Sequence, residues 1–399
     1  MTRYSTLQDD HDTFNLDLTA MAHGGSALGR HEGKTIFVPY AIPGERVKAR
    51  VTRAKKGFAY AESVEIVQES PTRVVPRCKH FGTCGGCHWQ HIDYAAQLEF
   101  KRQVVIDQLA RVGGFRDVPV HPTVASPNPW MYRSHVSFHV TQEGGLGFVA
   151  ADDRAVIPID ECPIIRPELR EVLETFKSER LKPGERVRVQ VGSESGERLV
   201  ALGRDDDDAP QVVQGAECVH YVVKGHTFRV SAGSFFQVNL PQAEKLVDLV
   251  LDRLALQGSE RVLDLYSGVG LFTAFLCPLA AQVTAVESFA PAVRDAEHNL
   301  AEFSNVELVT GTVEEVLNRL PTEYDAVGLD PPRTGMKPEA LDTLIRLAPR
   351  KIVYVSCDPA TLARDCKRLA GAGYRLIDVQ PVDMFPQTFH IESVATLIK

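Results

Sequence analysis

Two short motifs carry the chemistry that this chain can do. Asp330-Pro331-Pro332-Arg333 follows the apolar run Ala326 to Leu329, and Ser356-Cys357-Asp358-Pro359 follows the apolar run Ile352 to Val355. If both runs are strands of one parallel sheet, a carboxylate and a thiol meet on the rim where such sheets bind ligands. A thiolate is useful when the acceptor is an unreactive ring carbon. Its addition to carbon 6 of a pyrimidine turns carbon 5 into an enolate-like nucleophile that can take a methyl group. Cys357 is read as that thiol. A base must then remove the carbon 5 proton, and Glu392 in Phe389-His390-Ile391-Glu392 is the candidate. Free cysteines are more often buried and inert, and Cys218, Cys277 and Cys366 are read that way. Arg333 stands where enzymes that methylate exocyclic amines carry an aromatic residue, which disfavours amino methylation. Cytosine 5-methylation would call for a second cysteine after the fourth strand, where this chain has none. His390-Ile391-Glu392 echoes the zinc-deaminase H-x-E, but no P-C-x-x-C follows it.

A cofactor loop precedes these motifs. Asp264-Leu265-Tyr266-Ser267-Gly268-Val269-Gly270 closes the first apolar run, and its two glycines let the backbone pass close to a ligand. Glu287, at the end of the second run, is placed to accept hydrogen bonds from ribose hydroxyls. Thr273 occupies the place of the third dinucleotide-fingerprint glycine, so an adenosine carrier without a pyrophosphate fits better. S-adenosylmethionine is the obvious one. A separate cluster, Cys78-x5-Cys84-x2-Cys87, joins Cys162 to give four thiols, with Gly82, Gly85 and Gly86 allowing tight turns. Four thiolates suit zinc or an iron–sulfur cluster, and His80, His88 and His91 keep zinc open. No βαβ pattern surrounds Cys84 and Cys87, so a thioredoxin-like pair is disfavoured.

The elements that must hold these residues are legible as periodicity. From about Gln242, the runs 262–265, 283–286, 306–309, 326–329 and 352–355 alternate with helical stretches, the pattern of a doubly wound parallel sheet. Residues 118–235 read as mainly β, with the acidic run Asp205 to Asp208 as an exposed turn. Leu98, Val105, Leu109 and Val112 predict a helix over 94–112 that closes at Gly113. Alternating runs at 14–18, 34–39, 46–53 and 60–66 predict a small β-barrel. Its segment from Arg46 to Lys56 holds six basic side chains and no acidic one. The net charge of −8 over 399 residues argues against indiscriminate nucleic-acid binding, so RNA would be met by a local patch. No run approaches the ~18 apolar residues of a membrane span, and no export signal opens the sequence, so a cytoplasmic protein without a membrane partner is expected. Its eight cysteines are then expected to ligate or catalyse rather than form disulfides.

Taken together, these motifs make the chain resemble the RNA 5-methyluridine methyltransferases, particularly the bacterial 23S ribosomal RNA branch. The resemblance spans nearly the whole sequence. It implies an OB-like TRAM β-barrel for RNA binding at 1–68, a mainly β central iron–sulfur domain at 69–235, and an α/β Rossmann-like methyltransferase domain at 236–399. The helix near 94–112 would interrupt the central domain and pack on the catalytic one. By the same match, Cys78, Cys84, Cys87 and Cys162 would bind a 4Fe–4S cluster. Gln237, in Ser234-Phe235-Phe236-Gln237-Val238-Asn239, together with Tyr266, Glu287 and Asp330, would contact S-adenosylmethionine, with Cys357 as nucleophile and Glu392 as base. Asp358 stands where asparagine is frequent, and Ile391 where valine is. The expectation is a monomer that methylates carbon 5 of a uridine in RNA, with 23S ribosomal RNA favoured. The alternatives are a tRNA uridine-54 5-methyltransferase, and a non-catalytic iron–sulfur RNA-binding module.

Overall fold

A computed structural model of the chain describes residues 13–176, 181–193, 196–204, 210–320 and 323–399; the run Asp205 to Asp208 lies outside them. Strands β1 (Thr13–Met21), β2 (Ala27–His31), β3 (Lys34–Val38), β4 (Arg46–Ala54) and β5 (Phe58–Gln68) form a closed barrel in the order β1-β2-β3-β5-β4. Alternation builds it: Leu16, Leu18, Val47 and Ala49 point inward while Lys48 and Arg46 stay outside. The sequence pattern gave four of these strands and missed β2. There Gly29 breaks the alternation because a Cβ at that position would meet the Asp17 carbonyl oxygen at 2.3 Å. The basic run lies on β4 and the turn after it. Arg46 and Arg50 are tied to Asp17 and Glu62, which reduces the free positive charge of the patch.

Helix α1 (Tyr94–Gln108) is capped by Asp93, whose side chain accepts from the Ala95 N–H, and a π turn over Leu109–Gly113 follows it. The central sheet takes β6 (His135–Val140), β7 (Leu146–Val149), β8 (Val156–Pro158), β9 (Arg186–Val191), β10 (Arg198–Gly203) and β11 (Gln211–Gly215), with α2 (Pro167–Thr175) between β8 and β9. Its order is β11-β10-β9-β6-β7-β8, every pairing is antiparallel, and a hairpin of β12 (Cys218–Val223) and β13 (His226–Ser231) follows.

Helix α3 (Leu240–Leu254) then leads into β14 (Arg261–Leu265), α4 (Leu271–Leu276), β15 (Gln282–Glu287), α5 (Ala290–Asn299), β16 (Val306–Thr310), α6 (Val313–Leu317), β17 (Ala326–Leu329), α7 (Pro338–Leu347), β18 (Lys351–Ser356), α8 (Pro359–Gly371), β19 (Arg375–Val382) and β20 (Glu392–Ile398). The sheet order is β16-β15-β14-β17-β18-β20-β19, with β20 antiparallel to both of its neighbours. Val262, Leu263, Val327 and Val353 are fully buried, as strands covered on both faces require.

The N-terminal half is built into this domain. Val104, Val105 and Leu109 share a core with Leu362, Ala363 and Leu369 of α8. Val120 and Val124 bridge to Val379 and Val382 alongside β19. Lys101 of α1 is fully buried against Asp383 and also donates to the carbonyls of Phe385 and His390. A buried amine with three acceptors fixes the 383–391 loop that leads into Glu392. Among the described residues, no helix is long and apolar enough to cross a membrane.

Candidate active site and cysteine cavity

Register assembles the reacting rim. Strands β18 and β20 pair Ser356 with Ser393, and continuing that ladder by one residue sets Cys357 opposite Glu392. On the other side of β18, β17 runs parallel with Leu329 level with Tyr354, which places Asp330 at the same edge. The Asp330 N–H donates to the Leu265 carbonyl at 3.2 Å, tying this edge to the end of β14. Cys357 is partly exposed, whereas Glu392 is only 3% exposed and its Oε1 has no hydrogen-bond partner.

The electrostatics follow from this crowding. Burial, then the nearby Glu392 and Asp330 carboxylates, push the Cys357 thiol up to about 12, opposed by the Arg333 guanidinium. Burial and the Asp330 charge likewise raise Glu392 well above the carboxylate range. Asp330 is raised to about 7 by burial and by Asp264. These groups cannot all ionise together without a cation. Arg333 is the fixed cation at this edge, and its Nη2 is 3.1 Å from His390 Nδ1.

The loop after β14 is shaped for close approach. Gly268 and Gly270 have φ of 57° and 90°, and Tyr266, with φ 62°, adopts the left-handed region at a cost only a constrained loop sustains. Glu287 Oε2 accepts the Gly268 N–H at 2.9 Å, and its Oε1 accepts from Ser288 and Phe289 at 2.7 Å each. Glu287 therefore organises the glycine loop with both of its oxygens. Gln237 is buried just before α3. Asn239, two residues on, donates to the Met384 carbonyl, so this segment is drawn onto the 383–391 loop. Two further residues were given no role of their own by the sequence pattern. Asp264 is held by Thr273 Oγ1 at 2.5 Å and raised to about 7 by burial, and Asp365 accepts from Tyr354 Oη and the Met336 N–H. An acidic residue inside the apolar run of β14 is a readable signal for Asp264. Asp365 sits mid-helix, where nothing in the pattern marks it. Asp264, Glu287 and Asp330 gather at the ends of the adjacent strands β14, β15 and β17.

The four cysteines of the cluster ring one cavity of about 310 Å³, together with Phe81, Gln90, Arg133 and His135. All four are free thiols. The Gly86 N–H lies 3.3 Å from Cys84 Sγ, and the buried Arg133 guanidinium lies beside Cys87 and Cys162. His80, His88 and His91 do not line this cavity, so the histidines that kept zinc open face elsewhere. His80 pairs with Asp160, His88 packs on Phe389, and His91 packs on Phe81. Among the described residues, no three His, Cys, Asp or Glu side chains are grouped to hold a single metal ion.

Comparison with known proteins places this geometry. The family described as tRNA (uracil-5-)-methyltransferase matches residues 211–399, and the TRAM domain matches residues 12–64. The chain is 34% identical to an uncharacterized RNA methyltransferase of Halalkalibacterium halodurans over 100% of its own length and 99% of that protein. It is 35% identical to one of Streptomyces avermitilis, over 97% and 98%. The crystal structure of Pyrococcus abyssi tRNA (uracil-54, C5)-methyltransferase with S-adenosyl-L-homocysteine is similar at a TM-score of 0.75 and 29% identity, covering 96% of this chain and 100% of that one.

Proposed function

Because the chain belongs to the tRNA (uracil-5-)-methyltransferase family, we propose that it transfers a methyl group from S-adenosylmethionine to carbon 5 of a uridine in RNA through a covalent adduct on Cys357. The observation that carries this reading is the strand-end register that sets Cys357 opposite Glu392 with Asp330 beside them. S-adenosylmethionine, when bound, supplies an electrophilic methyl group on a positively charged sulfur. Asp264, Glu287 and Asp330 lie at the ends of β14, β15 and β17 beside the glycine loop, where that donor would bind. Gln237, Tyr266, Glu287 and Asp330 hold the donor.

In the reaction, a bond forms from Cys357 Sγ to carbon 6 of an everted uracil, and the ring π pair moves toward the carbon 4 oxygen. Carbon 5 takes the methyl group as the donor's sulfur keeps its electron pair. Glu392 then accepts the carbon 5 proton, and the carbon–sulfur bond breaks to return the thiolate. Arg333 is the side chain that favours the anionic form of both groups.

Residues 1–68, whose described part is the barrel, and the central region, 69–235 less α1, hold the RNA, and residues 236–399 carry the transfer in a monomer. Cys78, Cys84, Cys87 and Cys162 fit a 4Fe–4S cluster: four free thiols surround one cavity, and the Arg133 guanidinium stands beside Cys87 and Cys162 to offset their charge. Such a cluster would staple the 78–87 loop to the segment between β8 and α2 that carries Cys162. A brown protein with iron and sulfide supports this, and a colourless protein with stoichiometric zinc contradicts it. The sequence resemblance favours 23S ribosomal RNA. The second reading, uridine 54 of transfer RNA, has the Pyrococcus abyssi similarity on its side. Methyl-labelled S-adenosylmethionine with separate unmodified ribosomal and transfer RNAs tests both: label in 5-methyluridine of one fraction identifies the substrate. Label in 5-methylcytidine, or none, overturns the function.

A further inference from the structure

The turn between β1 and β2, residues 22–26, leaves the barrel and lies against the catalytic rim. The fully buried Trp89 donates its indole N–H to the Gly25 carbonyl at 3.0 Å. Gly25 has φ 87°, and a Cβ there would come within 2.9 Å of Phe389. The turn is therefore wedged between Trp89 and Phe389 with no room for a side chain. From it, His23 Nε2 reaches Asp358 Oδ2 at 3.2 Å, with the two side chains 32% and 24% exposed.

Asp358 is the residue after Cys357 and the cap of α8. Its Oδ1 accepts the Ala360 and Thr361 N–H groups at 2.9 Å each. One carboxylate oxygen thus fixes the helix start, and the other is turned to the barrel. The Asp358 charge is also among those that oppose ionisation of the neighbouring thiol. A hydrogen-bond partner on the outer oxygen immobilises the turn that carries Cys357.

We propose that His23 is a positioning residue for methyl transfer: the RNA-binding barrel holds Asp358, and through it the strand-to-helix turn bearing Cys357, in its reactive arrangement. The barrel then serves the reacting centre directly as well as holding substrate. This inference rests on the reading of Cys357 as the nucleophile in uridine methylation.

The test uses the full-length protein, S-adenosylmethionine and unmodified ribosomal and transfer RNA transcripts, with thermal melting to verify folding. His23→Ala is expected to lower kcat about tenfold while KM for RNA and for the methyl donor stay within about twofold. His23→Gln, which keeps a donor for Asp358, is expected within about threefold of the native kcat. Asp358→Asn keeps the helix cap without the charge, and in that background His23→Ala is expected to change kcat by less than about twofold. An unaltered kcat for His23→Ala overturns the proposal, as does an equal tenfold loss in the Asp358→Asn background. A rise in KM for RNA alone also overturns it, making His23 an RNA contact instead. A native protein that methylates no uridine overturns the functional reading itself, whereas an active native protein with an unaffected His23→Ala variant overturns this proposal alone.

Discussion

Two clusters of sulfur and carboxylate lie in this molecule, and they are held in different ways. At the catalytic rim, Asp330, Cys357 and Glu392 come from the ends of three adjacent strands, and the ladder β17-β18-β20 sets their spacing. In the central region, Cys78, Cys84, Cys87 and Cys162 come from turns that surround a cavity. Both collect groups whose anions need a cation. The rim has one exposed guanidinium, Arg333, and otherwise depends on a ligand that comes and goes. The cavity is lined by another, Arg133, whose Nε is buried. On the proposed reading, the rim must change protonation during each turnover, whereas the cavity keeps a resident partner.

The largest break in that comparison is Cys357→Ala. It is expected to lower turnover by about four orders of magnitude or more while binding of S-adenosylmethionine, followed by calorimetry, is retained. Retention of turnover would remove the rim thiol from the chemistry. Next comes the support of the rim from outside its own domain. Lys101→Met leaves Asp383 buried and unpaired, and denaturant unfolding is expected to show a loss of about 3–5 kcal/mol. A change below about 1 kcal/mol would mean that the 383–391 loop is held without this pair.

Glu392→Gln sharpens the division of labour within the rim. Addition and methyl transfer should proceed while elimination stalls, so a denaturation-resistant protein–RNA complex is expected to accumulate and to be visible on a denaturing gel. The smallest effect concerns Arg333. Alkylation of Cys357 needs the thiolate, and with the thiol pushed up to about 12 its rate in the free protein should climb with pH well past the ordinary thiol range. Arg333→Ala removes the cation that lowers this value and is expected to slow alkylation about threefold at alkaline pH, leaving the cavity thiols unaffected.

Much of the rim was readable because parallel strands buried on both faces show as bare apolar runs, and ligand groups must follow them. Asp330, Cys357 and Glu287 each sit at or just after such a run. Glu392 was placed by chemical need rather than by pattern. Its burial comes from β20 inserting between β18 and β19, a pairing between distant segments that no local periodicity encodes. The four cysteines were visible as spacing, but the orientation of His80, His88 and His91 depends on Asp160, Phe389 and Phe81, which are fixed by tertiary packing. Lys101 was missed for a similar reason: in a helix pattern, a lysine reads as solvated until its partner Asp383 arrives from the far end of the chain. His23 and its contact with Asp358 join the barrel to the catalytic loop and leave no trace in either local sequence.

The most direct measurement of the central claim is to incubate the protein with S-adenosylmethionine and an RNA whose target uridine carries fluorine at carbon 5, where no proton remains to be removed. After nuclease and protease digestion, mass spectrometry should find one methylated fluorouridine joined to the peptide that contains Cys357. A linkage at any other residue, or methylated RNA released with no linkage at all, would contradict it.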